Sequence, residues 1–100
     1  MATATQDTAG LGSARLRLAS SVSVRPEAFG ALLYDFRTRK LMFLKTPRLA
    51  AVVDLMDGAL TVDHCLDAGG APPGERAALL AVLDHLLGIG MLRHAPTPKD

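Results

Sequence analysis

The stretch FGALLYDFRTRKLMFLKTP, residues 29–47, decides the fold of this 100-residue chain. Residues 29–36 are short, apolar and aromatic, and residues 40–45 form a second apolar run between two lysines. Two such runs, separated by a short polar connection at residues 37–39, predict a hairpin of two antiparallel strands. All four aromatic residues of the chain lie in this hairpin.

Upstream of the hairpin, alternating apolar residues over residues 16–25 predict one more strand, which ends before Pro26. Downstream, Thr46 and Pro47 predict the start of a helix, because threonine caps a helix and proline suits its first turn. Together these signals predict a three-stranded antiparallel meander that leads directly into a helix.

Two further helices are predicted in the second half of the chain. Thr61 is expected to cap a short helix over residues 62–68 that ends at Gly69. A third helix is expected from about residue 73 or 75 to Ile89, with Gly90 at its end, followed by a short extended piece at residues 91–93. The predicted class is α+β, in the order βββααα, similar in outline to a winged helix.

Length and composition predict one domain at residues 15–93, between disordered tails at residues 1–14 and 94–100. The single cysteine excludes an intrachain disulfide framework and favours a reducing, cytoplasmic location. No segment approaches the roughly 20 apolar residues of a membrane helix, and the N-terminus lacks the pattern of a secretory signal. We therefore expect no membrane association.

The predicted third helix is apolar over about half of its circumference, which is wider than an ordinary core-facing stripe. The apolar residues are Leu79, Leu80, Val82, Leu83, Leu86, Leu87 and Ile89. Two interpretations remain open at this point. Either two neighbouring elements bury the helix, or part of its wide face lines an open apolar groove.

The charges are segregated along the chain. Eight of the 11 basic residues precede residue 49, in the strand-rich half, whereas most carboxylates lie in the helical half. One interpretation is an ordinary solvated surface. The other is that the sheet attracts an acidic partner, mainly by increasing the rate of encounter.

No constellation of residues satisfies the requirements of an active site. Asp63, His64 and Cys65 are adjacent, but neighbouring side chains on a helix point about 100° apart, so they do not form a nucleophile and base pair. The histidines and the cysteine have no metal-ligand spacing, and no glycine-rich phosphate loop is present. We expect no catalysis, no metal and no cofactor, with Cys65 as a buried or boundary thiol and His64 and His85 facing solvent.

The stretch VRPEAFGALLYDFRTRKLMFLKTPRLAAVVDLM, residues 24–56, closely resembles the peptide chaperones of the mycofactocin biosynthetic system. The likeness continues to LLGIGML, residues 86–92, and it is most specific over residues 25–34 and 44–47. More broadly, the chain is similar to the chaperone of pyrroloquinoline quinone biosynthesis. Both are recognition elements for the precursors of ribosomally synthesised, modified peptides.

The resemblance implies a non-enzymatic adaptor. It would bind the leader of a precursor peptide as a strand added beside the third strand, in a cleft walled by the third helix. It would then present the peptide to a radical S-adenosylmethionine maturase.

The resemblance also implies binding residues. The docking strand is matched by Lys40, Leu41, Met42, Phe43, Leu44 and Lys45. Leu80, Leu83 and Leu87 are expected on the groove wall, with Leu79 and Leu86 inward, and Arg39 and Lys40 are expected to meet an acidic leader. The sequence leaves open which face of residues 40–45 is buried.

Two other functions stay open from the residues alone. One is a winged-helix regulator that binds DNA, although its recognition helix would carry leucines in place of groove-reading Arg, Lys, Asn or Gln, so we expect no nucleic-acid partner. The other is a dimerisation or subunit module without a peptide ligand. The sequence is compatible with a monomer or a dimer.

Overall fold

The computed structural model describes residues 9–95 and confirms the α+β class. The chain forms six strands and three α-helices after an initial 3-10 turn at Ala9–Ser13. In chain order they are β1 (Arg15–Leu18), β2 (Val22–Glu27), β3 (Gly30–Asp35), β4 (Lys40–Leu44), α1 (Pro47–Asp54), β5 (Asp57–Thr61), α2 (Val62–Ala68), α3 (Pro73–Gly88) and β6 (Leu92–His94).

The predicted three-stranded antiparallel sheet is present as β2, β3 and β4, with β3 in the centre. The hairpin of β3 and β4 pairs Ala31 with Leu44 and Asp35 with Lys40. A second antiparallel sheet has the order β5-β1-β6 and was not predicted.

The predicted order βββααα is wrong in two respects, and the likeness to a winged helix is not confirmed. The single strand expected over residues 16–25 is two strands in different sheets, because the chain turns at Ala19, whose carbonyl accepts from the Val22 N–H at 2.9 Å. A strand, β5, also lies between α1 and α2, where only a helix end was expected. Its residues pair with β1, 40 or more positions away, so no local pattern predicts it.

Helix ends follow the predicted capping chemistry. The Thr46 hydroxyl accepts from the Leu49 N–H at 3.0 Å, and the Thr61 hydroxyl accepts from the His64 N–H at 3.2 Å. At the end of α3, Gly90 has a φ of 83°, and its N–H donates to the Leu87 carbonyl. This left-handed residue closes the helix and directs the chain into β6.

The hydrophobic core lies between the two sheets and the helices. Strands β3 and β4 contribute Ala31, Leu33 and Leu44, which pack with buried residues of all three helices. Leu33 and Leu44 have no exposed surface, and full burial of each such side chain contributes about 1.5–3 kcal/mol.

Part of the expected N-terminal tail is structured. Residues 9–13 form the 3-10 turn, and Leu11 packs against the core. The expectation of a disordered tail therefore does not hold for these residues, while residues 1–8 and 96–100 lie outside the described part of the chain.

The β3–β4 connection is organised by Asp35, which is the one buried charged side chain among residues 10–95. Its carboxylate accepts from the Arg37 N–H at 3.0 Å and from the Thr38 N–H at 3.4 Å. Hydrogen bonds from the Ser21 hydroxyl and from these backbone groups lower the pKa of Asp35, since they favour the ionised form. The carboxylate thus fixes the turn that positions β4.

Gly30→Ala should lower the free energy of unfolding by more than about 1 kcal/mol, because Gly30 has a positive φ that alanine adopts only with strain. A Cβ at this position would also collide with the Leu44 carbonyl oxygen of β4. Urea denaturation measures the change. The control is Gly74→Ala in the first turn of α3, where a Cβ meets no atom within 4 Å. Equal effects of the two substitutions would contradict this account of Gly30.

The hydrogen bonds of Asp35 should make stability dependent on pH. Because the pKa of Asp35 is lower in the folded state, its contribution is fully present above the ordinary aspartate pKa of about 3.9 and is lost as the pH falls from there through the lower pKa of the folded state. Thermal melts should show Asp35→Asn less stable than the wild type at pH 7, with the difference shrinking below pH 4. A difference that stays constant with pH would refute this role for the carboxylate.

Candidate functional site

The free edge of β4 is the feature of the fold that offers a binding site. β4 pairs with β3 on one side, and on its other side no strand among residues 9–95 pairs with it. An unpaired edge presents backbone N–H and C=O groups that can pair with another chain. All of the residues predicted for the docking strand lie on β4 or directly after it.

The structure decides which face of β4 is buried. Leu44 is fully buried and Met42 is half-buried, whereas Leu41 and Phe43 are exposed. Met42 and Leu44 therefore face the core, alongside their partners Leu33 and Ala31 on β3.

The hydrogen-bond alternation also shows which backbone groups of β4 are free. The Phe36 N–H donates to the Ser21 carbonyl at 3.0 Å, which continues the pairing of β3 with β2. Bonded pairs recur at every second residue of an antiparallel ladder, so even-numbered positions of β3 bond to β2 and odd-numbered positions bond to β4. The register then places the N–H and C=O groups of Leu41 and Phe43 toward the free edge.

Basic side chains flank this edge. Arg39 and Lys40 precede the apolar part of β4, and Lys45 follows it. All three side chains are exposed. Arg39 adopts a φ of 66°, within the tight connection from β3, and its N–H donates to the Asp35 carbonyl. The ends of the edge are therefore positively charged, which suits an acidic strand and opposes pairing with a second copy of the same strand.

The leucines of α3 are more deeply buried than a groove wall requires. Leu83 has no exposed surface and Leu80 retains 8%, so both belong to the core in this structure, as do Leu79 and Leu86. Leu87 is half-buried and keeps exposed surface. Helix α3 packs chiefly on β6 and the 3-10 turn, which favours the interpretation of a helix buried by its neighbours. A contribution of Leu80, Leu83 and Leu87 to binding stays a prediction.

Two surface cavities lie beside α1, where the sequence indicated none. One, of about 330 Å³, lies between α1 and the β2–β3 hairpin, and its lining includes Pro26, Ala31 and Ala50. The other, of about 580 Å³, lies near the start of α1, where Arg48 donates to the Glu75 carboxylate of α3 at 3.1 Å. Alanine, glycine and proline form most of the lining of the first cavity, a pattern that carries no sequence signal of its own.

The thiol of Cys65 is buried, as expected from sequence, and lies 3.6 Å from the Leu55 carbonyl. Burial raises the pKa of Cys65, and the negative charge of Asp57 adds to the effect. His64 and His85 face solvent, as predicted. Within residues 9–95, no three histidine, cysteine or acidic side chains are grouped as a metal site requires.

Helix α3 presents no surface for reading DNA bases. Its exposed positions include Ala81, Asp84 and His85, and Arg76 near its start is ion-paired with Asp63. None of the described helices has the length and apolarity needed to cross a membrane.

Fold and edge together define a small α+β binding domain. The family model for the peptide chaperone MftB family matches residues 15–93. The chain belongs to this family, which confirms the resemblance to the mycofactocin peptide chaperones. The family role is that of a peptide chaperone and is non-enzymatic.

Individual relatives agree with this assignment. Proteins named peptide chaperone MftB from Mycobacterium ulcerans, Mycolicibacterium smegmatis and Mycobacterium tuberculosis are 46%, 42% and 41% identical to this chain over 76 residues. The aligned part is 76% of this chain and 70%, 74% and 70% of the respective relatives. No solved structure matches the chain significantly.

Cys65 should be unreactive in the folded protein, because its raised pKa keeps the thiol protonated and its burial excludes reagents. Labelling with a water-soluble aromatic disulfide at pH 8 should be slow in buffer and fast in concentrated urea. Similar rates in the two solvents would show that the thiol is accessible in the native state.

Proposed function

We propose that this chaperone binds the leader of a ribosomal precursor peptide as an added strand at the free edge of β4. The observation that carries the proposal is the direction of the N–H and C=O groups of Leu41 and Phe43, which point to the edge of β4 that no strand among residues 9–95 pairs with. Strand addition gains affinity from main-chain hydrogen bonds, while alternate side chains provide specificity.

The charges support a leader that carries acidic residues. Arg39 and Lys40 precede the edge, and Lys45 follows it, with all three exposed to solvent. Each exposed ion pair contributes only about 0.2–1 kcal/mol, so these cations act mainly on the rate and register of binding. The main-chain bonds provide the larger share of the affinity.

The side chains next to the edge provide further apolar contacts. Exposed Leu41 and Phe43 lie on one face of β4. From α3, the half-buried Leu87 is proposed as a further apolar contact, whereas Leu80 and Leu83 lie in the core.

Delivery is the second part of the proposal. The bound peptide is presented to a radical S-adenosylmethionine maturase that carries out its modification. A binary complex raises the effective concentration of the peptide at that enzyme, which needs no chemistry from the chaperone.

Leu41→Pro should weaken leader binding about tenfold or more. Proline removes the N–H at the free edge, so one carbonyl of the bound leader loses its hydrogen-bond donor. Leaving such a group buried without a partner costs about 1–3 kcal/mol. The bonds between β3 and β4 stay intact, since position 41 points away from β3. Titration calorimetry with a synthetic leader of the mycofactocin precursor peptide measures the effect.

The matched control is Leu41→Val, which changes the side chain at the same position but keeps the backbone donor. It should bind with nearly the wild-type affinity. Thermal melts establish that both variants fold. If folded Leu41→Pro binds the leader as tightly as Leu41→Val, strand addition at this edge is wrong.

A further inference from the structure

The outer face of the β2-β3-β4 sheet is apolar, although no described element packs on it. The strand register places Leu32 and Tyr34 of β3 on this face, beside Phe43 and Leu41 of β4. Phe36 continues the same alternation directly after β3, and Phe29 lies in the β2–β3 turn. We call the surface of these six residues the outer face.

The outer face holds all of the large hydrophobic side chains that are strongly exposed within residues 10–95. Phe29, Phe36, Leu41 and Phe43 have 43%, 60%, 55% and 52% of their surface exposed. The rings of Phe29 and Phe43 meet edge to face, with their centroids 5.9 Å apart, so the outer face is continuous. Contiguous exposed apolar surface of this kind marks an interaction site.

The charges around the outer face define the chemistry of its partner. Arg25, Arg37, Arg39, Lys40 and Lys45 are all exposed on the three strands and their connections. Of the two carboxylates in the same segment, Glu27 is held by Arg25 at 3.2 Å and Asp35 is buried. The outer face therefore has an apolar centre and a cationic rim.

This rim argues against two alternative occupants. A second copy seated face to face would bring the two cationic rims together, which opposes association. A nucleic-acid surface of this type normally belongs to a strongly basic domain with a pI above about 9, whereas this chain has a net charge of +1 and a pI near 8.0.

We propose that the outer face docks a folded protein whose contact surface has an apolar centre surrounded by carboxylates. The outer face borders the free edge at Leu41 and Phe43 but extends across β3 to Phe36. The edge offers backbone groups in the plane of the sheet, whereas the side chains of the outer face project perpendicular to that plane. A peptide on the edge and a protein on the outer face can therefore be bound together.

The identity of the partner rests on the proposed function. If the chaperone delivers a peptide, the modifying enzyme must bind while the peptide occupies the edge, so it requires a second surface. The outer face is the surface that meets this requirement, and we assign the radical S-adenosylmethionine maturase to it.

The experiment compares Phe36→Ser and Arg37→Glu with Arg93→Glu, a charge reversal on β6 in the other sheet. Neither Phe36 nor Arg37 belongs to the proposed peptide edge, and all three residues are exposed. Titration calorimetry measures two affinities for each folded variant, one with the leader peptide and one with the purified maturase. Phe36→Ser and Arg37→Glu should weaken maturase binding about tenfold or more, and Arg93→Glu should leave it within twofold.

The affinity for the leader should stay within about threefold of the wild-type value in all three variants. Added salt should weaken the binding of the maturase to the wild type, because it screens the cationic rim. Unchanged maturase affinity in Phe36→Ser and Arg37→Glu would overturn the assignment, as would equal loss of both ligands or a wild type that binds leader but no maturase. The assignment would also be overturned if the wild type formed a dimer that Phe36→Ser dissociates. Binding of a single-stranded oligonucleotide by the wild type and not by the variants would overturn it as well. Failure of the leader to bind the wild type would instead refute the proposed function.

Discussion

The packing of α1 on the inner face of the β2-β3-β4 sheet is the contact on which the rest of the structure depends. Ala31, Leu33 and Leu44 of the sheet and Val52 and Val53 of α1 are buried together. Since side chains alternate across a strand, burying this set turns the neighbouring apolar residues outward. The exposed outer face is therefore a direct consequence of how the core is filled.

The short connection from β4 to α1 also leaves the edge of β4 unpaired. Only Lys45 and Thr46 separate the strand from the helix, and the Thr46 cap fixes the direction in which the chain departs. The chain then crosses to the inner side of the sheet and does not return as a strand beside β4. The second sheet instead brings together β1, β5 and β6, which holds both ends of the described chain against the core.

The separation of charge along the sequence becomes a spatial property in the fold. The cations of residues 25–45 surround one sheet, and their few carboxylates are paired or buried. On the helices, Asp63 and Glu75 are instead bound to Arg76 and Arg48. One sheet thus combines a free edge, an apolar outer face and uncompensated positive charge, the three properties on which peptide binding and protein docking are proposed to rest.

The sequence alone determined those elements that depend on residues close together in the chain. The β3–β4 hairpin, the caps at Thr46 and Thr61 and the left-handed Gly90 follow from turn and capping rules that act over short distances. Only the tertiary structure decided the break of residues 16–25 into two strands, the strand at β5 and the inward direction of Met42 and Leu44. It also placed Leu80 and Leu83 in the core. These features depend on pairing and packing between residues far apart in the chain, and a periodic pattern specifies a buried face without specifying what will cover it.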